Sequence, residues 1–306
     1  MSVLVGDCRA ILPTLPERSV QTVVTSPPYY SLRDYGIAGQ IGLEATVDGY
    51  VAALVDVFRL VRRVLADDGT VWLNLGDSYT SGGRTSYDDD DKLPARAGSH
   101  RAPSPPSLKP KDLVGIPWRV AFALQADGWY LRNDIIWHKP NPMPESVTDR
   151  CTRAHEYVFH LAKSGRYYFD GDAIKEPGEV RVYGDDKIKR VRNVGGRSDG
   201  FTGTIGGYGL GHHGTRNKRT VWTVTPKPFP GAHFAVMPPD LVEPCIRAGS
   251  RAGDTVLDPF AGAGTVGLVA ARLGRRFVGI ELNPDYAAMA EERIRMDAPL
   301  LHAVAD

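Results

Sequence analysis

Long hydrophobic runs, cysteines and net charge are all scarce in this sequence of 306 residues. No stretch approaches the ~20 apolar residues of a membrane span, and the first residues lack the basic region and apolar core of a signal peptide. We therefore expect a cytoplasmic protein with no membrane partner. The formal net charge is +1, so any surface that binds nucleic acid must be local.

The three cysteines, Cys8, Cys151 and Cys245, lie far apart, and no pair has the spacing of metal ligands. An odd number suits a reducing compartment, and we expect at least two of the thiols to be buried spectators. His212 and His213 are adjacent, but the sequence offers no third ligand nearby. We therefore predict no metal site.

One unusual loop, Thr25-Ser26-Pro27-Pro28-Tyr29, directly follows β-branched residues at 20–24 that predict a short buried strand. The two prolines stiffen the loop and hold Ser26 in an extended conformation. The loop therefore offers a hydroxyl, backbone carbonyls without local N–H partners, and an aromatic ring. These groups suit a planar amine, which needs hydrogen-bond acceptors and a stacking surface. On these residues alone, a simple Pro-rich turn remains the alternative.

A second motif lies towards the other end of the chain, where a strand at 254–258 runs into a glycine-rich loop, Asp258-Pro259-Phe260-Ala261-Gly262-Ala263-Gly264-Thr265. A helix over 266–273 and a strand over 276–280 follow, and that strand leads to Glu281. This order of elements is typical of sites for adenosine-containing cofactors. The glycines let the backbone approach the ligand, and the acid can accept hydrogen bonds from ribose hydroxyls.

The rest of the sequence predicts alternating strands and helices. The strongest helical pattern covers 47–65, and other helices are predicted over 8–15, 112–126, 239–248 and 284–296. Further strands are predicted over 3–5, 70–75, 130–138, 154–162 and 220–224. Residues 81–111 are rich in Gly, Ser, Pro and charge, which predicts a mobile insertion. A lid or a DNA-contacting loop is the alternative for that segment.

The composition changes again over 174–219, which carries ten Lys or Arg against five acids, with glycines and aromatics interleaved. A positive, aromatic-bearing segment suits contact with DNA phosphates and entry into a groove, and a solvated loop fits the composition equally well. The candidate DNA-binding residues are Lys187, Lys189, Arg190, Arg192 and Arg197.

Together, the two motifs resemble those of DNA amino-methyltransferases of the circularly permuted class often called beta, in which the amine-binding loop precedes the cofactor loop. The resemblance implies that the catalytic residues are Ser26, Pro27, Pro28 and Tyr29. It implies that S-adenosylmethionine is bound by Asp7, Asp258, Pro259, Phe260, Gly262, Gly264, Thr265, Glu281 and Asn283. Within that set, Asp7 would approach the cofactor's adenine amine and Glu281 would bind its ribose.

We therefore predict an α/β fold, a doubly wound and mostly parallel sheet of the Rossmann-like S-adenosylmethionine-dependent methyltransferase type, circularly permuted. Both motif loops follow strands, so both should face the same edge of the sheet. We expect one catalytic domain in two parts, 1–173 with the insertion 81–111 and 220–306. Between these parts, 174–219 would form a target-recognition segment.

The substrate implied by the resemblance is double-stranded DNA with the target base flipped out of the duplex. Such enzymes often serve bacterial restriction–modification systems or bacteriophages, so a cognate restriction endonuclease and a second copy of the chain are candidate partners. Ser26 favours N4 of cytosine as the target. By resemblance, Ser-Pro-Pro-Tyr is more frequent among N4-cytosine enzymes and Asp-Pro-Pro-Tyr among N6-adenine enzymes, and N6 of adenine remains the alternative.

Two other functional classes fit part of the sequence. Residues 262–267 satisfy the pattern Gly-x-Gly-x-x-Gly of nicotinamide-dependent oxidoreductases, but that class leaves the Ser-Pro-Pro-Tyr loop unexplained. A nucleic-acid-binding module without activity would need no cofactor pocket. RNA or protein amides are alternative substrates for an amine-binding loop of this kind.

Overall fold

A computed structural model describes residues 1–80, 108–178, 214–226 and 236–297. Within these ranges the strands are β1 (Ser2–Val5), β2 (Val20–Thr25), β3 (Leu65–Leu75), β4 (Tyr130–His138), β5 (His155–Ala162), β6 (Glu176–Pro177), β7 (Thr215–Arg216), β8 (Val221–Thr223), β9 (Thr255–Asp258) and β10 (Arg276–Glu281). The α-helices are α1 (Cys8–Ile11), α2 (Val47–Val64), α3 (Ile116–Ala126), α4 (Pro239–Gly249), α5 (Thr265–Arg272) and α6 (Pro284–Asp297).

The centre of the fold is an eight-stranded sheet in the order β1-β10-β9-β2-β3-β5-β4-β8. Neighbouring strands are parallel except at β5, which runs antiparallel to both β3 and β4. The first strand of the chain pairs with β10, and β2 pairs with β9. This topology confirms the predicted mostly parallel, permuted sheet. It also puts the carboxyl ends of β2 and β9, where the two motif loops begin, side by side.

Helices cover both faces of the sheet because successive residues of its strands point to opposite sides. On one face, Val71 and Leu73 of β3 belong to the same buried core as the apolar sides of α2 and α3. On the other face α4 packs closely, since a Cβ atom at Gly249 would lie 2.5 Å from Thr22 Oγ1 and 2.9 Å from Trp72 Nε1. Helices on both faces give the doubly wound architecture that the sequence predicts.

The best-predicted helix, α2, begins where Thr46 Oγ1 accepts a hydrogen bond from the Gly49 N–H at 3.0 Å. Its buried side consists of Val47, Tyr50, Leu54, Val55, Val57, Phe58, Val61 and Val64. The helix leads directly into β3. That strand begins earlier than the predicted residue 70 because Leu65 already pairs with Val20, ahead of a register shift.

Two other predicted helices begin or end differently in the structure. The helix predicted over 112–126 starts only at Ile116, because Gly115 adopts a left-handed conformation (φ 77°) and the Asp77 carboxylate accepts the N–H groups of both residues. The helix predicted over 8–15 ends at Ile11 and continues as a 3₁₀ turn, where Pro13 has no N–H to donate. Neither change moves the motif loops.

The chain groups into two compact units, one made of Met1–Asp170 with Arg219–Asp306 and the other of Gly171–Lys218. In the second unit β6 pairs with β7, and Arg216 Nε donates to Glu176 Oε1 at 2.8 Å. Most of the predicted insertion and of the predicted recognition segment lies outside the described residues, so the domain boundaries stay predictions.

Of the three thiols, Cys8 and Cys245 are buried and Cys151 is exposed, which confirms the expectation of at least two buried cysteines. None of the described helices combines the length and the apolar character needed to cross a membrane.

Candidate active site

The two motif loops are joined by one buried contact. Thr25, the last residue of β2, donates its hydroxyl hydrogen to Asp258 Oδ1 at 2.6 Å, and Asp258 is the last residue of β9. The same carboxylate oxygen accepts the Phe260 N–H at 3.0 Å. Burial raises the pKa of Asp258 to about 7. This contact fixes the Ser-Pro-Pro-Tyr loop against the glycine loop, although 233 sequence positions separate its two partners.

A cavity of about 550 Å³ opens at this edge of the sheet. Its wall includes four residues of the first motif, Ser26, Pro27, Pro28 and Tyr29. It also includes five residues of the predicted cofactor set, Asp7, Pro259, Phe260, Glu281 and Asn283. The fold therefore brings the predicted catalytic residues and much of the predicted cofactor set around one space, from both ends of the chain.

Two backbone N–H groups hold the Glu281 carboxylate in place on the cavity wall. Its Oε2 accepts the Gly262 N–H at 2.8 Å, and its Oε1 accepts the Asn283 N–H at 2.9 Å. Burial raises the pKa of Glu281. Each carboxylate oxygen has two lone pairs, so both oxygens keep the capacity to accept a further hydrogen bond from ligand hydroxyls.

Asp7 reaches the same wall from the neighbouring strand. It caps α1 by accepting the Arg9 N–H at 2.8 Å, and it pairs with the Arg9 guanidinium. Hydrogen bonding to that guanidinium lowers the pKa of Asp7. The Gly6 N–H donates to the backbone carbonyl of Glu281 at 2.8 Å, so the pairing of β1 with β10 sets the spacing between the two acids.

Four residues of the predicted cofactor set, Asp258, Gly262, Gly264 and Thr265, are not part of the cavity wall. Thr265 Oγ1 accepts a hydrogen bond from Arg293 of α6 at 2.9 Å. Gly264 has φ +71°, and a Cβ atom there would lie 2.8 Å from Ala290 Cβ. A larger side chain at this position would therefore collide with α6 rather than fill the cavity. These residues shape the loop and its packing.

The Ser-Pro-Pro-Tyr loop is fixed at its last two residues. The Tyr50 hydroxyl donates to the Pro28 carbonyl at 2.9 Å, so this carbonyl of the loop already has a partner. The Tyr29 ring packs against Gly76, where a Cβ atom would lie only 2.5 Å from Tyr29 Cε2. The Tyr29 hydroxyl donates to Glu156 Oε2 at 2.6 Å. Burial and the nearby Glu156 carboxylate raise the pKa of Tyr29 well above its ordinary value.

Neither sequence motif includes the part of the wall that comes from β3, β4 and β5. Asn74, Trp137, Lys139 and Glu156 all line the cavity, as does the exposed Met143 in the loop after β4. Asn74 and Trp137 lie near the carboxyl ends of strands that run parallel to β2, and this common edge was a usable signal. Glu156 lies near the amino end of β5, where only the antiparallel pairing brings it to the site.

The predicted DNA-binding residues lie outside the described residues, and so do His212 and His213. Their roles stay predictions. Among the residues that the structure does describe, no three His, Cys, Asp or Glu side chains are grouped in a way that could hold a metal ion.

The sequence profile of the N6_N4_Mtase family, described as DNA methylase, matches residues 20–292. The chain belongs to this DNA methylase family. The methylase is 52% identical over 292 residues to the Type II methyltransferase M.SmaI of Serratia marcescens, covering 95% of this chain and 90% of the relative. It is 51% identical over 290 residues to the Type II methyltransferase M.Cfr9I of Citrobacter freundii, covering 95% of this chain and 86% of the relative.

Solved structures give the same result for the fold. The methylase superposes on TTHA0409 of Thermus thermophilus, crystallised with S-adenosyl-L-methionine, with a TM-score of 0.62 and 27% identity over 98% of this chain and 95% of that one. It superposes on the PvuII DNA methyltransferase (cytosine-N4-specific) with a TM-score of 0.63 over 95% of this chain and 85% of that one. At 21% identity, the second likeness shows the fold alone.

These comparisons confirm the predicted family, the methyltransferase fold and the cofactor S-adenosylmethionine. They also confirm the predicted reaction class, methylation of an amino group in DNA. The oxidoreductase interpretation and the interpretation as a binding module without activity are therefore wrong for this methylase.

Proposed function

We propose that this methylase transfers a methyl group to N4 of a cytosine flipped out of double-stranded DNA, as the modification enzyme of a Type II restriction–modification system. The observation that carries the proposal is the Thr25–Asp258 contact, which joins the amine-binding loop to the cofactor loop on one cavity. The relatives named Type II methyltransferase support the restriction–modification assignment.

The cavity fits S-adenosylmethionine because it offers a pre-positioned carboxylate and an apolar wall. Glu281, fixed by two backbone N–H groups, would accept hydrogen bonds from the ribose hydroxyls, and Asp7 would accept from the adenine amine. Phe260 and Pro259 would pack against the adenosine. The cofactor, when bound, supplies a methyl group that is already activated on a positively charged sulfur.

The amine-binding loop would supply the rest of the chemistry. The lone pair of an exocyclic base amine is conjugated into the ring, so the amine is a weak nucleophile. Ser26 Oγ and the Pro27 carbonyl would accept hydrogen bonds from that amine and stabilise the positive charge that develops on it. The Tyr29 ring would stack on the flipped base. Placing the amine in line with the methyl group contributes further, since orientation alone can be worth ~7–11 kcal/mol.

The preference for cytosine rests on Ser26. Its hydroxyl is a short, neutral acceptor that can also donate to the ring nitrogen beside the amine. Adenine offers the same pair of groups, so N6 methylation of adenine is the second candidate. The tendency of Ser-Pro-Pro-Tyr loops to occur in N4-cytosine enzymes supports the choice of cytosine.

Mass spectrometry of nucleosides tests the proposal directly. DNA without modification is incubated with the purified protein and S-adenosylmethionine, digested, and analysed for methylated nucleosides. We expect N4-methylcytosine, and sequencing of the treated DNA should then give one recognition motif. N6-methyladenine alone would overturn the choice of cytosine, and neither product in the presence of active cofactor binding would overturn the DNA substrate.

We further propose that the segment 174–219 contacts the DNA backbone through Lys187, Lys189, Arg190, Arg192 and Arg197. Neutralising Lys189, Arg190 and Arg192 should reduce the dependence of DNA affinity on salt, by roughly 0.9 of a log unit in slope per lost phosphate contact. The affinity for S-adenosylmethionine should stay the same. An unaltered salt slope would mean that the segment is a solvated loop.

The remaining proposals concern the setting in which the methylase works. They are a cytoplasmic location, a cognate restriction endonuclease that shares the recognition sequence, and a homodimer. A nuclease encoded next to this methylase that cleaves unmethylated DNA but not DNA treated with the methylase would support the proposed endonuclease partner. Analytical ultracentrifugation of the protein with and without DNA would test the dimer.

A further inference from the structure

A cluster of polar and aromatic side chains lines the cavity beside Tyr29 and is not used in the reaction scheme above. It consists of Asn74, Trp137, Lys139 and Glu156, which we call the Tyr29 clamp. Its members come from β3, from β4 and the residue that follows it, and from β5, and none of these segments carries either sequence motif. Asn74 and Glu156 contact the Tyr29 hydroxyl, and Lys139 pairs with Glu156 and lies over the Trp137 ring.

Tyr29 is held at two points, by the clamp at its hydroxyl and by Gly76 at the edge of its ring. The hydroxyl donates to Glu156 Oε2 at 2.6 Å and also lies 3.2 Å from Asn74 Oδ1. The edge of the ring packs against Gly76, a position where any side chain would collide with it. With its hydroxyl and its edge both fixed, the ring has little freedom to turn within the cavity.

Glu156 is itself fixed from two sides. Asn74 Nδ2 donates to Glu156 Oε2 at 3.2 Å and to the backbone carbonyl of Tyr157 at 3.1 Å, so the amide holds the carboxylate to the sheet. Lys139 forms an ion pair with the other carboxylate oxygen, and its ammonium lies 4.2 Å from the centre of the Trp137 ring. A carboxylate that is largely withdrawn from water needs such partners to stay in place.

We propose that Glu156 is a positioning residue for methyl transfer, holding the Tyr29 ring in the orientation on which the flipped base stacks. A ring that is already ordered does not have to be immobilised when the base arrives, so less binding free energy is lost. The proposal explains why the loop ends in Tyr, since a Phe ring would offer no hydroxyl for Glu156. It rests on the proposed function, because it assumes a flipped base in this cavity.

The test compares Glu156→Ala, Tyr29→Phe and the double variant by single-turnover methyl transfer from tritiated S-adenosylmethionine to DNA. Each single variant should lower the rate about tenfold, equivalent to ~1.4 kcal/mol. The double variant should be no slower than the slower single variant, because both changes remove the same hydrogen bond. Glu156→Gln keeps an acceptor for the Tyr29 hydroxyl and should therefore be faster than Glu156→Ala.

The matched control is Glu145→Ala, which removes another partly buried, ion-paired glutamate, the partner of Arg150. It should leave the rate unchanged. Affinity for S-adenosylmethionine, measured by calorimetry, should be unchanged in all variants because the clamp does not touch Glu281 or Asp7.

Three results would overturn the positioning role. They are an unchanged rate in Glu156→Ala, effects of the two single variants that multiply in the double variant, and a loss of cofactor affinity and melting temperature that parallels the loss of rate. Wild-type protein that binds the cofactor but transfers no methyl group to DNA would instead contradict the proposed function. The two failures are therefore distinguishable.

Discussion

The two sides of the central sheet contribute to the cavity in different ways. On the all-parallel side, β1, β10, β9 and β2 present their carboxyl ends, and the site is built from loops that follow the strands. On the other side, β5 runs against its neighbours, and Glu156 reaches the site from the amino end of that strand. The loops that follow parallel strands thus lie at one edge and contain continuous sequence motifs. The antiparallel strand adds single side chains that no sequence motif predicts.

The two sides also differ in the hydrogen-bond partners and the pKa shift of a buried titratable group on each side. On the parallel side, Asp258 accepts two hydrogen bonds, and burial raises its pKa to about 7. On the other side, the His160 ring stacks on the Trp72 ring with their centres 4.2 Å apart. Neither nitrogen of the His160 ring has a hydrogen-bond partner among the described residues. Burial lowers the pKa of His160 to about 3. Asp258 therefore contributes stability that is lost as the pH rises, and His160 contributes stability that is lost as the pH falls.

The largest expected effect comes from the loop on the parallel side. Ser26→Ala should lower the rate of methyl transfer by roughly 10²–10³-fold, because it removes the acceptor that we propose for the reacting amine and with it a hydrogen bond that would strengthen as charge develops in the transition state. DNA affinity should change much less. Single-turnover rates and DNA titrations measure the two effects separately, with Ser164→Ala, away from the cavity, as the control. Equal losses in rate and affinity would mean that Ser26 only binds the base.

The next effect concerns Asp258 and stability. A carboxyl whose pKa rises from 3.8 to about 7 on folding contributes stability at low pH that is lost as the pH rises through this window. The loss should amount to a few kcal/mol. Asp258→Asn keeps an acceptor for Thr25 and Phe260 but cannot ionise, so its stability should not show this fall. Urea denaturation of both proteins across the window measures the difference, and identical pH slopes would contradict the assignment.

A smaller effect is expected for cofactor binding on the same side. Glu281→Ala removes the carboxylate on the cavity wall and should weaken S-adenosylmethionine binding by about tenfold to hundredfold, in line with the ~1.5–3 kcal/mol of a hydrogen bond to a charged group. Calorimetry gives the affinity. The control Glu243→Ala removes a surface glutamate that pairs with Arg247 on α4. Unchanged affinity in a folded Glu281→Ala protein would contradict the role of Glu281 in binding the cofactor.

The smallest effect, when it is measured only between pH 6.5 and about pH 5.5, belongs to the other side of the sheet. The pKa of His160 falls from 6.5 to about 3 on folding, so the neutral ring contributes stability above 6.5 that is lost as the pH falls towards 3. Between pH 6.5 and about pH 5.5 the loss should be about 1 kcal/mol. His160→Phe keeps a ring against Trp72 and should remove this loss. A variant that loses as much stability as the wild type when the pH falls would show that groups other than His160 cause the loss.

The sequence predicted the parallel side of the site more completely than the other side. Continuous motifs gave the loops after β2 and β9, and the bounds of β4 agree with the predicted 130–138. The Glu156–Tyr29 contact could not be read from the sequence, because it depends on the pairing of β3 and β4 with β5 over long separations. The same holds for the packing of Gly264 against Ala290, since a glycine-rich loop looks the same whether it faces a ligand or a helix.

The pairing of β1 with β10 and of β2 with β9 has a consequence for the order in which the protein is made. The ribosome releases β2 and β3 long before it has synthesised β9. The edge of β2 that pairs with β9 therefore stays unpaired during most of translation. Contacts over such long separations also form slowly. A nascent chain that stops short of Glu281 therefore carries the Ser-Pro-Pro-Tyr loop without the carboxylate that we propose binds the methyl donor, and such a shortened product should not methylate DNA.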